Sequence, residues 1–407
     1  MKVLGVTPWQ RNQNVIAATV FVVFTGFAFV LPFLPLYVRE LGVADDDDAA
    51  LWAGVLIGVS PLLAGLLAPV WGRLGDRHGQ KRMALRALGA YVVLQLLSAF
   101  VTNVGQLLAL RIGVGLFGGI GPLGLAMATS LAPREETGRA VGLVQSAQIL
   151  SAAIGPLVGG LLADAIGIRL TFAATAALCA LAVVLVARYY VESPPRTVEN
   201  VDAAPPTFRA ILGMPQVPGL LVVLFLVNFI GRSMTPILPL YLGGMGVAPA
   251  RLASATGILI SVYSLAAAFS AAFLGRASRF RDPRALLIGS LVGGAATVLP
   301  MAFASSYASV LLLAILLGLA SGGSLTLCYT IGGLMVSGTG RATAFGFFSG
   351  AALFGGALSP SVAGVLAHWD VKGIFYLDAG LYVAVATALL LGPRPVARDS
   401  GADVAGA

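Results

Sequence analysis

Long apolar runs, separated by short polar turns, dominate this chain from end to end. An α-helix needs about 20 mostly apolar residues to cross the hydrocarbon core of a bilayer, and twelve runs are long enough. They lie near residues 15–38, 51–72, 84–102, 106–130, 140–163, 170–190, 217–242, 252–275, 284–304, 307–333, 342–366 and 372–392. Because most connections between them are short, neighbouring spans should pack as antiparallel hairpins.

One connection is long and hydrophilic, and it divides the predicted spans into two sets of six. It contains Pro194, Pro195, Pro205 and Pro206 among charged residues, a composition that breaks helices and is unsuited to hydrocarbon. The predicted organisation is an N-terminal six-helix bundle over residues 1–190, a linker over 191–216, a C-terminal six-helix bundle over 217–392 and a tail over 393–407.

The basic residues set the direction of the spans. If the N-terminus is cytoplasmic, most of the 25 lysines and arginines fall on the cytoplasmic side, which is the distribution that the positive-inside rule describes. We therefore expect a multi-pass protein of the cytoplasmic (inner) membrane, with both termini, the linker and the tail in the cytoplasm.

The two halves repeat each other in sequence. The segment Pro32–Tyr37 of the first span (PFLPLY) recurs as Pro236–Tyr241 of the seventh (PILPLY), and the ends of Pro156–Gly160 recur at the same spacing in Pro360–Gly364. Six spans is an even number, so both halves enter the membrane in the same direction. Such parallel repeats are typical of one transporter superfamily, in which the substrate site lies between the repeats.

The composition excludes several classes of protein. Only 10% of the 407 residues are charged and 58% are hydrophobic, whereas a soluble domain carries about 25% charged residues, so a soluble enzyme and a disordered chain are both excluded. The net charge of +8 is spread in small groups, which argues against nucleic-acid binding. Cys179 and Cys328 fall in apolar runs, so we expect neither a disulfide nor a metal site.

Three motifs carry a family resemblance. The loop after the second span, Gly72–Arg82, reads GRLGDRHGQKR; the fifth span contains GPLVGG at Gly155–Gly160; and the fourth span has Arg111 near its start, followed by spaced glycines. The first resembles the G-x-L-x-D-R-x-G-R-K signature of the major facilitator superfamily. The others resemble the G-P-x-x-G-G and R-x-x-Q-G elements of its drug–proton antiporter branch. Gln80 and Val114 depart from these patterns.

This resemblance covers essentially the whole chain and implies an all-α membrane protein of twelve helices in two pseudo-symmetric bundles. It implies a secondary active transporter that exports small hydrophobic or weakly charged, drug-like compounds by proton antiport with alternating access. The gating and coupling residues would be Gly72, Asp76, Arg77, Gly79, Lys81, Arg82, Arg111, Glu135, Glu136, Gly155, Pro156, Gly159, Gly160 and Asp378. For the loop that contains Asp76, a simple hairpin anchor is the alternative.

Three ionisable residues lie clearly inside spans, where each costs at least about 2.5–3.5 kcal/mol on insertion scales. Arg111 either snorkels to the interface or, as the resemblance implies, couples protons or orients substrate in a cavity. Arg232 and Asp378 are expected to form a salt bridge; otherwise one of them serves ions or substrate. A buried carboxyl group is a natural proton carrier, so the candidates are Asp378, Asp76 and the pair Glu135–Glu136.

Proteins of this resemblance line a central cavity with spans one, four, seven and ten, flanked by five, eight and eleven. Aromatic and polar side chains on those spans would form the substrate site. They are Phe24, Phe27, Phe117, Gln145, Gln148, Asn228, Phe229, Arg232, Tyr263 and Tyr329. With so little fixed charge, a hydrophobic or weakly charged substrate is favoured over a sugar.

Other functions fit the sequence less well. An uptake facilitator or symporter for a sugar or other metabolite would share the fold, although GPLVGG favours export. A membrane-embedded enzyme or receptor is disfavoured, because His78 and His368 are predicted at opposite membrane faces and no paired intramembrane carboxylates occur. No lysine stands in an ATP-binding loop. We expect a monomer without enzymatic activity, cofactor or metal, whose partners are the lipid bilayer, a small-molecule substrate and protons.

Overall fold

The computed structural model describes residues 8–129, 137–192, 213, 216–335 and 341–392. Within these ranges the chain is helical and contains no strand, as the apolar pattern predicts. The helices are α1 Pro8–Val30, α2 Leu34–Glu40, α3 Asp46–His78, α4 Gln80–Ser98, α5 Val104–Phe117, α6 Ile120–Thr129, α7 Thr137–Ile166, α8 Ile168–Tyr189, α9 Val217–Ser233, α10 Leu238–Gly244, α11 Leu252–Ala277, α12 Pro283–Met301, α13 Tyr307–Ser321, α14 Ser324–Met335, α15 Arg341–Ala367 and α16 Gly373–Leu391.

In the part of the chain that the structure describes, nine helical stretches are long and apolar enough to cross a membrane. A tenth is added if α9 and α10, which meet at 43°, form one span. The predicted span 84–102 falls on α4, which begins with a strongly polar turn, and 106–130 falls on α5 and α6, which a glycine pair separates. The count of twelve spans therefore stays a prediction.

The outer surface suits a hydrocarbon solvent. Phe100, Phe269, Phe273 and Leu391 are between 61% and 83% exposed, and many other large apolar side chains are exposed beside them. Soluble monomers rarely expose apolar surface of this extent. Together with the apolar helices, it describes a multi-pass membrane protein.

The four spans predicted to line a cavity are each interrupted. Spans one and seven break at Leu31–Phe33 and at residues 234–237, where the prolines of the repeated motif stand, since proline lacks an N–H and clashes with the preceding turn. Spans four and ten break at Gly118–Gly119 and Gly322–Gly323. These glycine pairs occupy equivalent positions in the two repeats, and Gly119 has a left-handed φ of 113° that favours glycine.

The tyrosine that ends the repeated motif donates to an equivalent carbonyl group in each half. The Tyr37 hydroxyl donates to the Ser98 carbonyl at 2.8 Å, and the Tyr241 hydroxyl donates to the Met301 carbonyl. These carbonyls lie at the last residues of α4 and α12, where a helix has no intrahelical donor for them. The motif thus joins the first span of each half to its third.

The halves meet through two pairs of helices, α7 with α11 and α3 with α15. Gly257 packs against the Pro156 carbonyl, and the equivalent Gly54 packs against the Pro360 carbonyl. A methyl group at either glycine would overlap backbone atoms of the facing helix. We call this double contact the outer interface, because it lies at the helix ends that the charge pattern predicts to be extracellular.

Candidate functional site

A cavity of about 190 Å³ lies inside the C-terminal half, between α9, α11, α13, α14 and α16. It is centred on the two helix breaks of that half: Arg232 is in the last turn of α9, Ser321 ends α13 and Ser324 begins α14, and all three line it. Irregular backbone at membrane depth is tolerated where it lines a cavity, and broken helices surround the substrate sites of several transporter folds.

Three polar side chains face this cavity without a protein partner. Asn228, Arg232 and Tyr263 line it, and none of them makes a hydrogen bond or ion pair with another residue in the described ranges. Tyr382 also lines the cavity, and its ring packs against Gly294 of α12. The rest of the wall is formed by small and aliphatic residues, two of which are serines, so the cavity combines apolar surface with hydrogen-bonding groups.

The predicted salt bridge between Arg232 and Asp378 is wrong. Asp378 of α16 is fully buried and its Oδ2 lies 2.5 Å from Ser233 Oγ, whereas Arg232 lines the cavity. Consecutive residues of an α-helix point about 100° apart. Ser233 therefore faces the bundle core where Asp378 lies, and Arg232 faces the cavity.

The hydrogen bonds of Ser233 suit a neutral Asp378. The Ser233 hydroxyl lies 2.9 Å from the Ile230 carbonyl as well as 2.5 Å from the Asp378 carboxyl group, yet a hydroxyl has only one hydrogen to donate. Both contacts can be hydrogen bonds if Asp378 is protonated and donates to Ser233, which then donates to Ile230. An ionised Asp378 would lose one of these bonds and would be a buried charge without a cation.

The charge on Arg232 is not offset by its surroundings. Helices α9 and α13 end at the cavity, and a helix C-terminus stabilises a cation by about 0.3–1 kcal/mol. Arg232 is exposed, and no acid in the described part of the chain forms an ion pair with it. Arg232 is therefore a cation that remains available to a ligand.

Arg111 lies inside the N-terminal half and does not snorkel. It is 1% exposed, its Nε donates to the Leu56 carbonyl at 3.1 Å, and its Nη1 has no partner in the described part of the chain. The Ser60 hydroxyl donates to the Arg111 carbonyl at 2.6 Å, and Gly115 lets α5 approach α3 closely at the same level. The snorkelling interpretation is wrong because this packing encloses the side chain, which ties α5 to α3.

The other predicted substrate residues are dispersed. In the C-terminal half, Phe229 is buried and Tyr329 stacks on Phe345, and neither lines the cavity. In the N-terminal half, Phe27 packs edge-to-face on Tyr91 with the ring centroids 5.0 Å apart.

Two aromatic residues and two amides of the N-terminal half remain candidates for the same central space. Phe24 packs against the N-terminal core, while Phe117 is exposed at the end of α5. On α7, Gln145 is exposed and Gln148 is half-buried.

The loop between α3 and α4 contacts the end of α8. Gly79 has a left-handed φ of 91°, and the Lys81 N–H donates to Glu192 Oε1 at 3.2 Å while Lys81 Nζ donates to the Tyr190 carbonyl at 2.7 Å. Arg82 is exposed. Residues Glu135 and Glu136, and the side-chain surroundings of Gly72, Asp76 and Arg77, lie outside what the structure describes.

The glycines of the fifth span produce close helix contacts. Gly155 and Gly159 pack against α1, and Gly160 packs against the Ala253 carbonyl of α11. Beside the Pro156 contact, the Leu157 N–H donates to Ser261 Oγ of α11 at 3.0 Å. Small residues with polar handles are typical of helix interfaces in membranes.

An acid that the sequence analysis overlooked joins the halves at the outer interface. The Asp164 carboxylate of α7 accepts the Ser254 N–H at 2.8 Å and the Ala253 N–H at 3.3 Å. These are free N–H groups of the first turn of α11, whose own N-cap residue, Arg251, provides no side-chain bond. An N-cap is normally supplied by the same helix, but here the N-terminal half caps a helix of the C-terminal half.

The second pair of helices is joined by weaker polar contacts. The Ser361 hydroxyl donates to the Gly54 carbonyl at 3.3 Å, and His368 Nδ1 lies 3.7 Å from Asp48 Oδ1. The hydrogen bonds between described residues of the two halves thus all lie at the outer interface.

Comparison with known proteins gives a consistent result. The sequence profile of the Major Facilitator Superfamily matches residues 16–257 and 250–405. Multidrug resistance protein MdtG of Klebsiella pneumoniae is 32% identical over 97% of each chain. The multi-drug resistance efflux pump PmrA homolog of Lactococcus lactis is 34% identical over 77% of this chain and 78% of its own. The crystal structure of a D-xylose-proton symporter has a TM-score of 0.77 at 14% identity, covering 95% of this chain and 99% of that one.

Proposed function

This chain belongs to the Major Facilitator Superfamily and is a drug transporter of that type, and we propose that it exports small, largely apolar compounds in exchange for protons. Its substrates cross the cytoplasmic membrane of a bacterial cell. Twelve spans, a monomeric chain and cytoplasmic termini complete the proposed arrangement.

The proposal of proton exchange is carried by the contact between Asp378 and Ser233. The Asp378 carboxyl group is fully buried in the C-terminal bundle, and its hydrogen bonds suit the protonated form. Its partner, Ser233, directly follows Arg232, which lines the cavity. We propose that arrival of the substrate at the cavity separates Asp378 from Ser233 and lets water reach the carboxyl group. Its proton then leaves, and a new proton binds when the cavity opens to the outside.

Alternating access would use the outer interface as its seal. The closest contacts there involve glycine, proline and serine, with Asp164 capping α11, so two rigid bundles can separate without repacking large apolar side chains. We propose that the described state faces the cytoplasm. In this scheme Pro156 and Gly160 form the seal, and Gly155 and Gly159 seat α7 on α1 behind it. The loop with Gly72, Asp76, Arg77, Gly79, Lys81 and Arg82 forms the opposite gate with Glu135 and Glu136.

The N-terminal half would supply the other wall of the substrate site. We propose that Phe24, Phe27, Phe117, Gln145 and Gln148 face the C-terminal cavity across the space between the halves, and that Arg111 holds α5 in place against α3. Sugar uptake is a poorer fit, because the GPLVGG segment of the fifth span resembles the export branch.

The test is transport in everted membrane vesicles that contain the chain. A pH-sensitive dye reports the acid interior that respiration builds, and a panel of lipophilic compounds is added in turn. Antiport predicts that some compounds dissipate part of the gradient in these vesicles and not in matched vesicles without the protein. If no compound of a broad panel changes the gradient, proton antiport is wrong.

A further inference from the structure

We propose that the cavity of the C-terminal half is a subsite for an oxyanion, so that substrates of this transporter include amphipathic organic anions that carry a carboxylate or a similar group. This inference deepens the proposed export function and rests on it for transport, but not for binding. Arg232 would bind the anion, with Asn228 and Tyr263 as flanking donors.

The charge balance of the cavity is the first argument. Arg232 is the residue with a formal charge among those that line it, and in the described ranges no carboxylate lies within ion-pair distance of its guanidinium. The nearby acid, Asp378, is fully buried and engaged with Ser233. A cavity with one uncompensated cation and no facing acid selects for an anion.

The hydrogen-bonding groups are the second argument. The guanidinium offers several N–H donors in a planar fork that matches a carboxylate. The Tyr263 hydroxyl and the Asn228 amide line the same cavity and have no protein partner in the described part of the chain. Together these three groups can donate hydrogen bonds to the oxygens of one oxyanion.

The neighbours of Arg232 hold the base of its side chain, although the residue as a whole is exposed. A methyl group added at Gly356 of α15 would lie 2.6 Å from Asn228 Oδ1 and 3.5 Å from Arg232 Cγ, so α15 packs closely behind both side chains. Helix α9, which contains Arg232, ends one residue later at Ser233, and Ser233 is hydrogen-bonded to Asp378. Packing thus positions the base of the side chain, and the guanidinium has no counter-ion among the described residues.

The size of the cavity sets what part of a ligand it can hold. About 190 Å³ is smaller than the roughly 300–1,000 Å³ of a site for a drug-sized molecule. The subsite therefore holds the charged end of a ligand and a neighbouring ring or short chain. The remainder extends into the space between the halves, where Phe117 and Gln145 are exposed.

The test compares a matched pair of fluorescent probes, dansyl-phenylalanine and its neutral methyl ester, by titration of the purified full chain in detergent. The wild type should bind the acid at least about tenfold more tightly than the ester. Arg232→Gln should weaken binding of the acid at least about tenfold, as expected for loss of a charged hydrogen bond, and leave the ester within about twofold. Arg232→Lys should keep part of the preference for the acid, and the control Arg281→Gln, which removes an exposed arginine, should keep all of it.

Several results would overturn the inference. It fails if the wild type does not bind the acid at millimolar concentration, if acid and ester bind alike, or if Arg232→Gln weakens both probes equally. Because the first comparison uses the wild type alone, it stands even if Arg232→Gln does not fold. A preference for the acid in detergent, with no proton-linked transport in vesicles, would support the subsite while contradicting the proposed antiport.

Discussion

At the scale of single residues, the Ser233 hydroxyl determines how the acid in the C-terminal half is held. It lies within hydrogen-bond distance of both the Ile230 carbonyl and Asp378, and a proton on Asp378 lets it satisfy both. Loss of that proton breaks one bond and leaves a charge in the bundle core. Protonation and the packing of α9 on α16 are therefore coupled.

We expect Asp378→Asn to abolish proton release without preventing folding. The asparagine amide can donate to Ser233 as the protonated acid does, so the hydrogen bonds are kept, but no proton is available to leave. The measurement is the pH change, in weakly buffered detergent solution, when the compound most active in the vesicle assay is added. Asp282→Asn, which alters an acid that caps its own helix, is the control, and unchanged proton release by Asp378→Asn would contradict the assignment.

The two repeated tyrosines allow a matched test of stability. Tyr37→Phe and Tyr241→Phe each remove a side-chain donor to a carbonyl at a helix end, and such a bond contributes about 0.5–1.5 kcal/mol. Both variants should lower the thermal midpoint in detergent. Tyr189→Phe, at an exposed tyrosine, should not, and equal midpoints for all three variants would mean that the repeated hydroxyls contribute nothing.

Sequence reasoning identified some residues and missed others for physical reasons. Asn228, Arg232 and Tyr263 were predicted and do line one cavity, because polar side chains on predicted spans have few alternatives in lipid. The salt bridge of Arg232 with Asp378 was wrong, because depth in the membrane does not specify the direction of a side chain around its helix. Asp164 was missed because an acid near the end of a span resembles an ordinary solvated residue.

At the scale of helices, the interruptions were only partly predictable. The paired prolines of PFLPLY and PILPLY indicated that spans one and seven share a feature, and both break there. Gly119 is one of the spaced glycines that follow Arg111, but the pairs Gly118–Gly119 and Gly322–Gly323 lie in runs already rich in glycine, so the pattern did not mark them as helix breaks. The structure shows that the four broken spans are equivalent pairs.

The cap that Asp164 provides across the outer interface should stabilise the closed state of that side. Loss of an N-cap acceptor costs about 0.5–2 kcal/mol, and 1 kcal/mol changes an equilibrium constant about fivefold. We therefore expect Asp164→Ala to expose the outer interface more often. With Cys179 and Cys328 replaced by alanine, a cysteine at the buried Ser261 should react several-fold faster with a membrane-impermeant maleimide.

The control for this experiment is Asp282→Ala, which also removes an N-cap carboxylate. Asp282 caps α12 within its own half, so its loss should leave the reaction rate at residue 261 unchanged. An equal increase in both variants would indicate general loosening of the bundles. No increase in Asp164→Ala would show that the cap does not hold the halves together.

At the scale of the whole molecule, symmetric contacts coexist with asymmetric chemistry. The contacts of Pro156 with Gly257 and of Pro360 with Gly54 are equivalent, as are the two tyrosine bonds. Arg111 has no charged counterpart at the equivalent position of the C-terminal half, and Arg232 and Asp378 have none in the N-terminal half. The duplicated frame supplies the seal and the helix breaks, and the unpaired charges supply the proposed chemistry.

The most direct test of the account measures whether the two halves rock against each other. Spin labels at the exposed Thr102 and Ser305, in equivalent loops of the two halves at the predicted outer ends, report one side; labels at the exposed Arg188 and Arg281 report the other. In lipid nanodiscs without substrate, pulsed electron paramagnetic resonance should show the outer pair of labels closer together than after a substrate is added. A transported compound should lengthen the outer distance and shorten the inner one in the same population. If both distances stay constant, or change in the same direction, two bundles that alternate about a central cavity do not describe this protein.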